Sequence, residues 1–370
     1  MKILLVNWQD LENPQAGGAE IHLFELFSRL VDRGHQVRLI CSGWRGGASR
    51  AMVRGVAVER HGDRHSFAVV GRGAVRRALA DGPFDVLVED VNKLPLYTAT
   101  LTRGPSVVIV PHLFGATAYD EARWPMATMV VLAERLIPSG YRRSAFHAIS
   151  ESTRDDLVAR GIPAERITVV HPGVDTNLYR PLGSDRSAEK TFLYLGRLKR
   201  YKGVEFAIRA LAIARLTDPA LRLEIAGTGE DRSRLETVAR DLGLADSVAF
   251  LGFVDEAMKR HLLQTRVANV FPSPKEGWGI TVMEAAACGT PSLASNSPGL
   301  RDSVRDGITG YLVPHGDSGA LARRMLDLAS DRSLGARLGG AARAWAERWS
   351  WDDAAVATEK HLVAAIEART

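Results

Sequence analysis

The chain has 370 residues, 46% hydrophobic and 25% charged, with a net charge of +5. That length exceeds one ordinary hydrophobic core and implies two domains, and the composition is that of a soluble globular protein rather than a disordered or fibrous one. No apolar run is long enough for a membrane span, and two distant cysteines in apolar surroundings, Cys41 and Cys288, exclude a disulfide framework and point to a reducing compartment.

In chain order, MKILLVNW is too short in its apolar part for a signal peptide and predicts a first strand, Ile3–Asn7. A helix follows, with Leu23, Leu26, Phe27, Leu30 and Val31 on one face and Gly34 at its end. Further strands are predicted at Gln36–Cys41, Val56–Arg60, Phe84–Glu89, Ser106–Pro111, Ala145–Ile149 and Ile167–Val170. Several are apolar throughout, as parallel strands covered on both faces should be. The loop Gln9–Glu20 is long and ends in Gly17-Gly18-Ala19-Glu20. This places flexible backbone at a helix start, on the strand edge where open α/β sheets bind ligands.

Between Trp44 and Ala80 lie Arg45, Arg50, Arg54, Arg60, Arg64, Arg72, Arg76 and Arg77, against only Glu59 and Asp63. A solvated face and a surface for anionic lipid or an acidic acceptor are both open readings. Nucleic acid is not expected, because no recognition motif accompanies the charge. His112 follows the strand Ser106–Pro111 directly and projects from its carboxyl edge; Asp85, Glu89 and Asp90 read as structural or acceptor-facing. Met126–Ile137 reads as a buried or interfacial helix.

Thr176–Lys190 has the polar, proline- and glycine-bearing texture of a linker. A second series of strands is predicted at Thr191–Gly196, Leu221–Ala226, Ser247–Gly252, Val267–Phe271, Ser292–Ser295 and Gly310–Val313, giving a second doubly wound α/β domain. Its first strand runs into Gly196-Arg197-Leu198-Lys199-Arg200-Tyr201-Lys202-Gly203, where Arg197 and Lys202 suit phosphate oxygens. Gly227, after the second strand, suits the phosphate side, and Phe253 and Val254, after the third, suit a flat base.

The stretch Phe271–Pro291 carries two carboxylates, Glu276 and Glu284, around a glycine-spaced loop and a short helix closed by Gly289 and Pro291. Glu276 is expected above the helix N-terminus and Glu284 about one turn down. Gly277, Gly279 and Ile280 bring free N–H groups close to an anion, while the carboxylates accept from hydroxyls. A ligand with both a diphosphate and sugar hydroxyls fits that mixture. The last segment, Trp345–Ala368, reads as a helix whose apolar face needs a partner.

With Gly17-Gly18-Ala19-Glu20, GRLKRYKG and the Glu276/Glu284 spacing taken together, the chain resembles the retaining family 4 glycosyltransferases (GT4), of GT-B fold: two Rossmann-like α/β domains facing a central cleft. The resemblance implies an N-terminal acceptor-side domain, 1–180, a nucleotide-sugar domain, 181–345, and a C-terminal helix, 346–370, crossing back to the first. It implies that Glu284 receives the ribose, Glu276 the transferred sugar, Arg197 and Lys202 the diphosphate, His112 the sugar from the other domain, and Gly18 a phosphate. It implies retention; with Arg197 and Lys202 as the cationic set no metal is demanded, and no other cofactor is expected. The donor is expected to be a UDP-sugar, UDP-glucose first and GDP-mannose next, and the acceptor an alcohol on a glycan, a lipid-linked glycan or a small molecule. A cytoplasmic location is expected, with peripheral contact at the inner membrane face through Arg45–Arg77. Trp278 stands where phenylalanine is more usual. A sugar-nucleotide epimerase and a catalytically inactive nucleotide-sugar binder are the alternatives.

Overall fold

The computed structural model describes residues 1–121, 124–182 and 190–369. The chain forms two compact units, Met1–Gly173 with Trp351–Thr370, and Val174–Ser350. Of the expected linker, residues 183–189 lie outside the described ones.

The first unit is built on eight strands: β1 (Lys2–Val6), β2 (Gln36–Cys41), β3 (Arg50–Val53), β4 (Val56–Arg60), β5 (Val86–Asp90), β6 (Ser106–Val110), β7 (Ala145–Ala148) and β8 (Ile167–Val169). They lie in the order β3-β4-β2-β1-β5-β6-β7-β8. All neighbours are parallel except β3 and β4. Sequence reading missed β3, whose exposed, charged residues carry no apolar alternation. It is set by a two-residue hairpin in which Arg54 and Gly55 both have positive φ, matching the twist of the strands. The order reverses between β1 and β5, which makes that gap the switch point of the sheet.

The helix Gly18–Asp32 packs its apolar face, including Leu23, Leu26, Phe27 and Leu30, into this core. The C-terminal helix, Trp351–Glu367, packs beside it, with Arg29 to Asp352 at 2.6 Å and Arg33 and His35 both to Glu359. Trp345 belongs to the preceding helix, Arg332–Ala346, so the terminal helix starts later than its sequence texture implied. The apolar segment around Met126 forms the helix Trp124–Arg135. Its Trp124, Met126, Met129 and Leu132 are exposed, so the buried alternative is not what the fold adopts.

The arginine-rich stretch is partly consumed internally. Arg60 is buried, forked onto Asp10 at 2.7 and 2.9 Å, paired with Glu12 and stacked over Trp44. Arg54 pairs with Glu25, Arg64 with Gln15, and Arg72 with the carbonyls of Leu96 and Tyr97. The long loop after β1 is folded rather than loose: Asp10 and Asn13 each accept backbone N–H groups two residues on, and Gln9, Asp10 and Asn13 are buried.

The second unit has a six-stranded, all-parallel sheet: β9 (Thr191–Leu195), β10 (Arg222–Ala226), β11 (Val248–Gly252), β12 (Asn269–Phe271), β13 (Ser292–Ser295) and β14 (Gly310–Val313). The order is β11-β10-β9-β12-β13-β14, so its switch point falls between β9 and β12. The core is continuous, from Phe192 and Ile208 to Leu293, Met325 and Leu338.

Candidate active site

Four consecutive strands of the second unit, β11, β10, β9 and β12, send their carboxyl ends to one edge. The loop after β9 carries Arg197 and Lys202. That after β10 carries Gly227, that after β11 carries Phe253 and Val254, and that after β12 carries Glu276 and leads into Glu284. Parallel pairing therefore gathers residues eighty positions apart.

The loops fit because glycine lets backbone touch backbone. Gly227, at φ 139°, would set a Cβ 1.9 Å from the Gly196 carbonyl oxygen, and a Cβ on Gly229 would meet that of Leu198 at 2.1 Å. Leu198 N–H donates to the Thr228 carbonyl, and Tyr194 Oη to the Arg197 carbonyl. A one-turn helix, Arg200–Lys202, then aims Lys202 inward, where it is enclosed.

Lys202 Nζ lies 2.5 Å from Glu276 Oε1, across the switch point. Burial acts to lower the ammonium pKa; the Glu276 carboxylate outweighs it and the net shift is upward, so the cation persists. Arg197 is exposed and close enough to Lys202 to oppose that rise.

Glu276 is placed by its own backbone: its N–H donates to the Pro298 carbonyl, and Ser297 Oγ donates to Ser273. Gly299, at φ 78°, allows this seat, since a Cβ there would lie 2.2 Å from the Glu276 carbonyl oxygen. Trp278 is buried and packs edge-on against Trp349 at 5.5 Å. The tryptophan that departs from the usual phenylalanine thus fills core volume beneath the loop.

Gly279, at φ 92°, starts the helix Ile280–Ala287. Gly289 ends it: its N–H reaches the Ala286 carbonyl and that of Thr290 reaches Ala285, the paired bonds of a glycine-capped terminus. Arg343 Nη1 donates to the Ala287, Thr176 and Tyr179 carbonyls, tying the helix end to the segment bearing Tyr179.

Glu284 is only 6% exposed. Lys259 Nζ sits 2.7 Å from its Oε1, and Tyr179, whose Oη donates to Glu256, also bonds it. Burial raises the carboxyl pKa, against the pull of Lys259. Neither Lys259 nor Tyr179 was singled out from sequence. Lys259 sits four residues inside the helix Glu256–Thr265, where a lysine carries no signal. Among the ligand-facing candidates, Phe253 is 81% exposed and Val254 partly so, and Gly277 and Gly279 are buried.

Two predicted residues lie on the first unit. Gly18 opens the helix Gly18–Asp32 and is exposed, with Glu20 Oε2 taking the Gly17 N–H. His112, after β6, packs edge-on to Phe114 at 5.1 Å. Its loop is pinned by buried Glu134, which accepts the N–H groups of Phe114 and Gly115 at 2.6 and 2.8 Å; sequence reading missed that anchor too. Glu89 is structural, accepting from the Leu96, Tyr97 and Thr98 amides and from Tyr141 Oη.

Two family models match this chain, one in each half. The family described as Glycosyl transferases group 1 matches residues 180–345, and Glycosyltransferase Family 4 matches 16–178. A D-inositol 3-phosphate glycosyltransferase of Streptomyces avermitilis is 34% identical over 271 residues, covering 68% of this chain and 58% of that protein. A GDP-mannose-dependent alpha-(1-6)-phosphatidylinositol monomannoside mannosyltransferase of Mycobacterium tuberculosis is 29% identical over 368 residues, covering 92% of both. The match thus spans little more than half of the first relative and nearly all of the second. In fold, sucrose-phosphate synthase from Thermosynechococcus elongatus superposes with a TM-score of 0.83 at 20% identity, covering 97% of both chains. Anabaena HepE in complex with UDP and glucose gives 0.79 at 20% identity, covering 98% of this chain and 100% of that one. On these matches the chain belongs to glycosyltransferase family 4, and its fold class is GT-B.

Proposed function

We propose that this chain transfers a hexosyl group, with retention, from a nucleotide diphosphate sugar to an alcohol. The observation that carries the reading is the 2.5 Å contact between Lys202 Nζ and Glu276 Oε1 at the second unit's switch point. One cation and one carboxylate side by side suit a ligand in which a pyrophosphate adjoins a sugar. Glu276 takes sugar hydroxyls, Lys202 and Arg197 the pyrophosphate, and Glu284 the ribose. Gly227, Gly277, Gly279 and Ile280 line the phosphate side, and Phe253 and Val254 the base. The roles of His112 and Gly18 rest on the family resemblance alone.

In the reaction, the bond from the anomeric carbon to the diphosphate oxygen breaks, its electron pair leaving with the diphosphate. The acceptor oxygen bonds to the same carbon on the same face, and its proton passes to the departing phosphate oxygen. The barrier is the charge that develops on the leaving group. Lys202, Arg197 and the N–H groups at the start of Ile280–Ala287 stabilise it, usually the largest catalytic contribution. With that cationic set the step calls for no metal.

For the donor we place GDP-mannose ahead of UDP-glucose, reversing the order drawn from sequence. The relative aligned over 92% of both chains is named as GDP-mannose-dependent. The UDP-bound neighbour is 20% identical and speaks to fold. The acceptor is a saccharide or a lipid-linked alcohol. No helix of the described residues is long and apolar enough to cross a membrane. A cytoplasmic protein touching anionic lipid through the Arg45–Arg77 face is a subsidiary proposal, tested by sedimentation with phosphatidylglycerol vesicles. The main reading is tested by thermal shift with GDP, UDP, GDP-mannose and UDP-glucose, since specific binding stabilises in proportion to the logarithm of ligand over Kd. Stabilisation by GDP-mannose above the others is the expected result; none from any of the four overturns the reading.

A further inference from the structure

The loop bearing Glu276 is backed by three tryptophans that the proposed reaction does not use. Trp278, two residues on, is buried at 2% exposure. It meets Trp349 edge-on at 5.5 Å, and Trp349 meets Trp345 edge-on at 5.2 Å. Trp345 in turn donates its indole N–H to the Ser303 carbonyl at 3.0 Å. We infer that this chain of rings sets the place of the Glu276 carboxylate, and that Trp349, which comes from the far end of the second unit, is a positioning residue for the transferred sugar. The link to the sugar rests on the glycosyl-transfer reading above; the brace does not.

The contacts close on themselves. Ser303 ends the short helix Leu300–Ser303, which starts at Gly299. That segment is also the seat of Glu276, whose N–H donates to the Pro298 carbonyl at 3.1 Å. The seat has no slack. A Cβ on Gly299 would lie 2.2 Å from the Glu276 carbonyl oxygen and 2.9 Å from the Gly277 carbonyl carbon, and one on Gly279 would lie 3.1 Å from Leu300 Cδ2. Contacts therefore run from Glu276 through Trp278, Trp349 and Trp345 to Ser303, and return through Pro298. Close-packed rings have few alternative placements, so a shift of one is felt by the next.

The backbone around Trp278 explains why a brace is needed. Gly277 and Gly279 flank it, and glycine gives a loop freedom rather than stiffness. The buried ring between them supplies the stiffness from outside. Its far end is tied in turn. Arg305 and Arg348 lie against the Trp345 ring, 5.3 and 5.1 Å from its centre. The Trp349 carbonyl accepts the Val174 N–H at 2.9 Å. Val174 is where the chain enters this unit, and Ser350, next to Trp349, is where it leaves. Arg343, on the helix that carries Trp345, holds the Thr176 and Tyr179 carbonyls of the entering segment. The loop is thus anchored at the two crossings of the chain.

The test uses the full chain. Turnover is read as release of GDP or UDP from GDP-mannose or UDP-glucose, and affinity for GDP and UDP by calorimetry. Trp349→Leu removes the ring between Trp278 and Trp345, and Trp349→Phe keeps one there. We expect Trp349→Leu to lower kcat about tenfold, as a misplaced reacting group does, with the Kd of the nucleoside diphosphate unchanged, and Trp349→Phe to restore most of the loss. In a Glu276→Ala background Trp349→Leu should cost nothing further, because the carboxylate it places is already gone. Losses that multiply in the double variant overturn the inference, and so does an unchanged kcat in Trp349→Leu. If that variant folds poorly, Trp345→Phe, which removes the indole N–H held by Ser303 and keeps a ring, carries the same comparison with an expected loss of about threefold or more. A chain that binds neither nucleotide nor sugar nucleotide sinks the glycosyl-transfer reading and this inference with it. Binding and turnover that are indifferent to Trp349 and Trp345 sink this inference alone.

Discussion

Lys259 Nζ lies 2.7 Å from Glu284 Oε1, and the pair is enclosed beside Tyr179. A buried carboxylate proposed to receive the ribose must keep its charge without solvent, and a neighbouring ammonium is one way to achieve this. Removing the partner leaves the charge uncompensated, and breaking one half of a buried pair is costly. Lys259→Met is therefore expected to raise the donor KM about tenfold or more while changing kcat less. The loss should be larger at pH 6 than at pH 8, because the carboxyl, already raised by burial, then protonates more readily. An unchanged KM across that range would show that Lys259 is only structural.

Lys202 and Glu276 face the reacting end of the donor in this scheme, so their loss should appear in kcat. Lys202→Ala and Glu276→Ala are each expected to cut turnover about a hundredfold or more, with far-ultraviolet circular dichroism unchanged. Near-normal rates in both variants would remove the assignment.

Much of this was legible in the sequence. Parallel strands buried on both faces, such as Ser106–Val110 and Thr191–Leu195, announce themselves as apolar runs, and Gly289 marks a helix end whatever surrounds it. Glu276 and Lys202 stood out because a glycine follows each, and Glu284 because of its spacing from Glu276 on a helix closed by Gly289. What stayed hidden were side chains whose meaning comes only from distant partners. Lys259 meets Glu284 across 25 residues, Glu134 caps amides 19 and 20 residues back, and Arg343 reaches carbonyls up to 167 residues away. Such pairings have no period or motif. The strand Arg50–Val53 was missed for another reason: its edge position leaves it polar and exposed, without the alternation that betrays a half-buried strand.

Gly227 is a steric test of the edge proposed to bind the nucleotide. At φ 139° a side chain is strained, and its Cβ would meet the Gly196 carbonyl oxygen at 1.9 Å. Gly227→Ala should force the loops after β9 and β10 apart. The expected cost is about 2 kcal/mol or more in urea unfolding, with loss of nucleotide-diphosphate stabilisation in the thermal-shift assay. Gly243→Ala is the control: it shares positive φ but has open space around it, and should cost stability without touching nucleotide binding.

Glu134 acts on His112 through the backbone. It accepts the N–H groups of Phe114 and Gly115 and lies 3.4 Å from Arg160. Glu134→Ala frees the loop that carries the histidine. We expect turnover to fall about tenfold with the nucleotide Kd unaltered, and Glu134→Gln, which keeps one acceptor, to lie between. Equal turnover in all three forms would show that the loop holds His112 without this anchor, or that His112 has no part in the reaction.

Three buried histidines, His22, His147 and His361, meet between the helix Gly18–Asp32, β7 and the C-terminal helix, with ring centroids 6.0 and 6.1 Å apart. Burial lowers all three; His22 and His361 are pushed from 6.5 to about 4. The folded chain thus keeps them neutral while the unfolded chain binds their protons below pH 6.5. Stability is therefore retained above that value and lost as pH falls through it, by about 2 kcal/mol for each of His22 and His361 between pH 7 and pH 5. Other groups shift in the opposite sense, among them Asp90, so the informative quantity is a difference in slope. Urea unfolding of the unaltered chain and of His22→Phe across this interval should differ by about one proton taken up on unfolding. Parallel slopes would mean that His22 titrates in the folded chain much as it does in water.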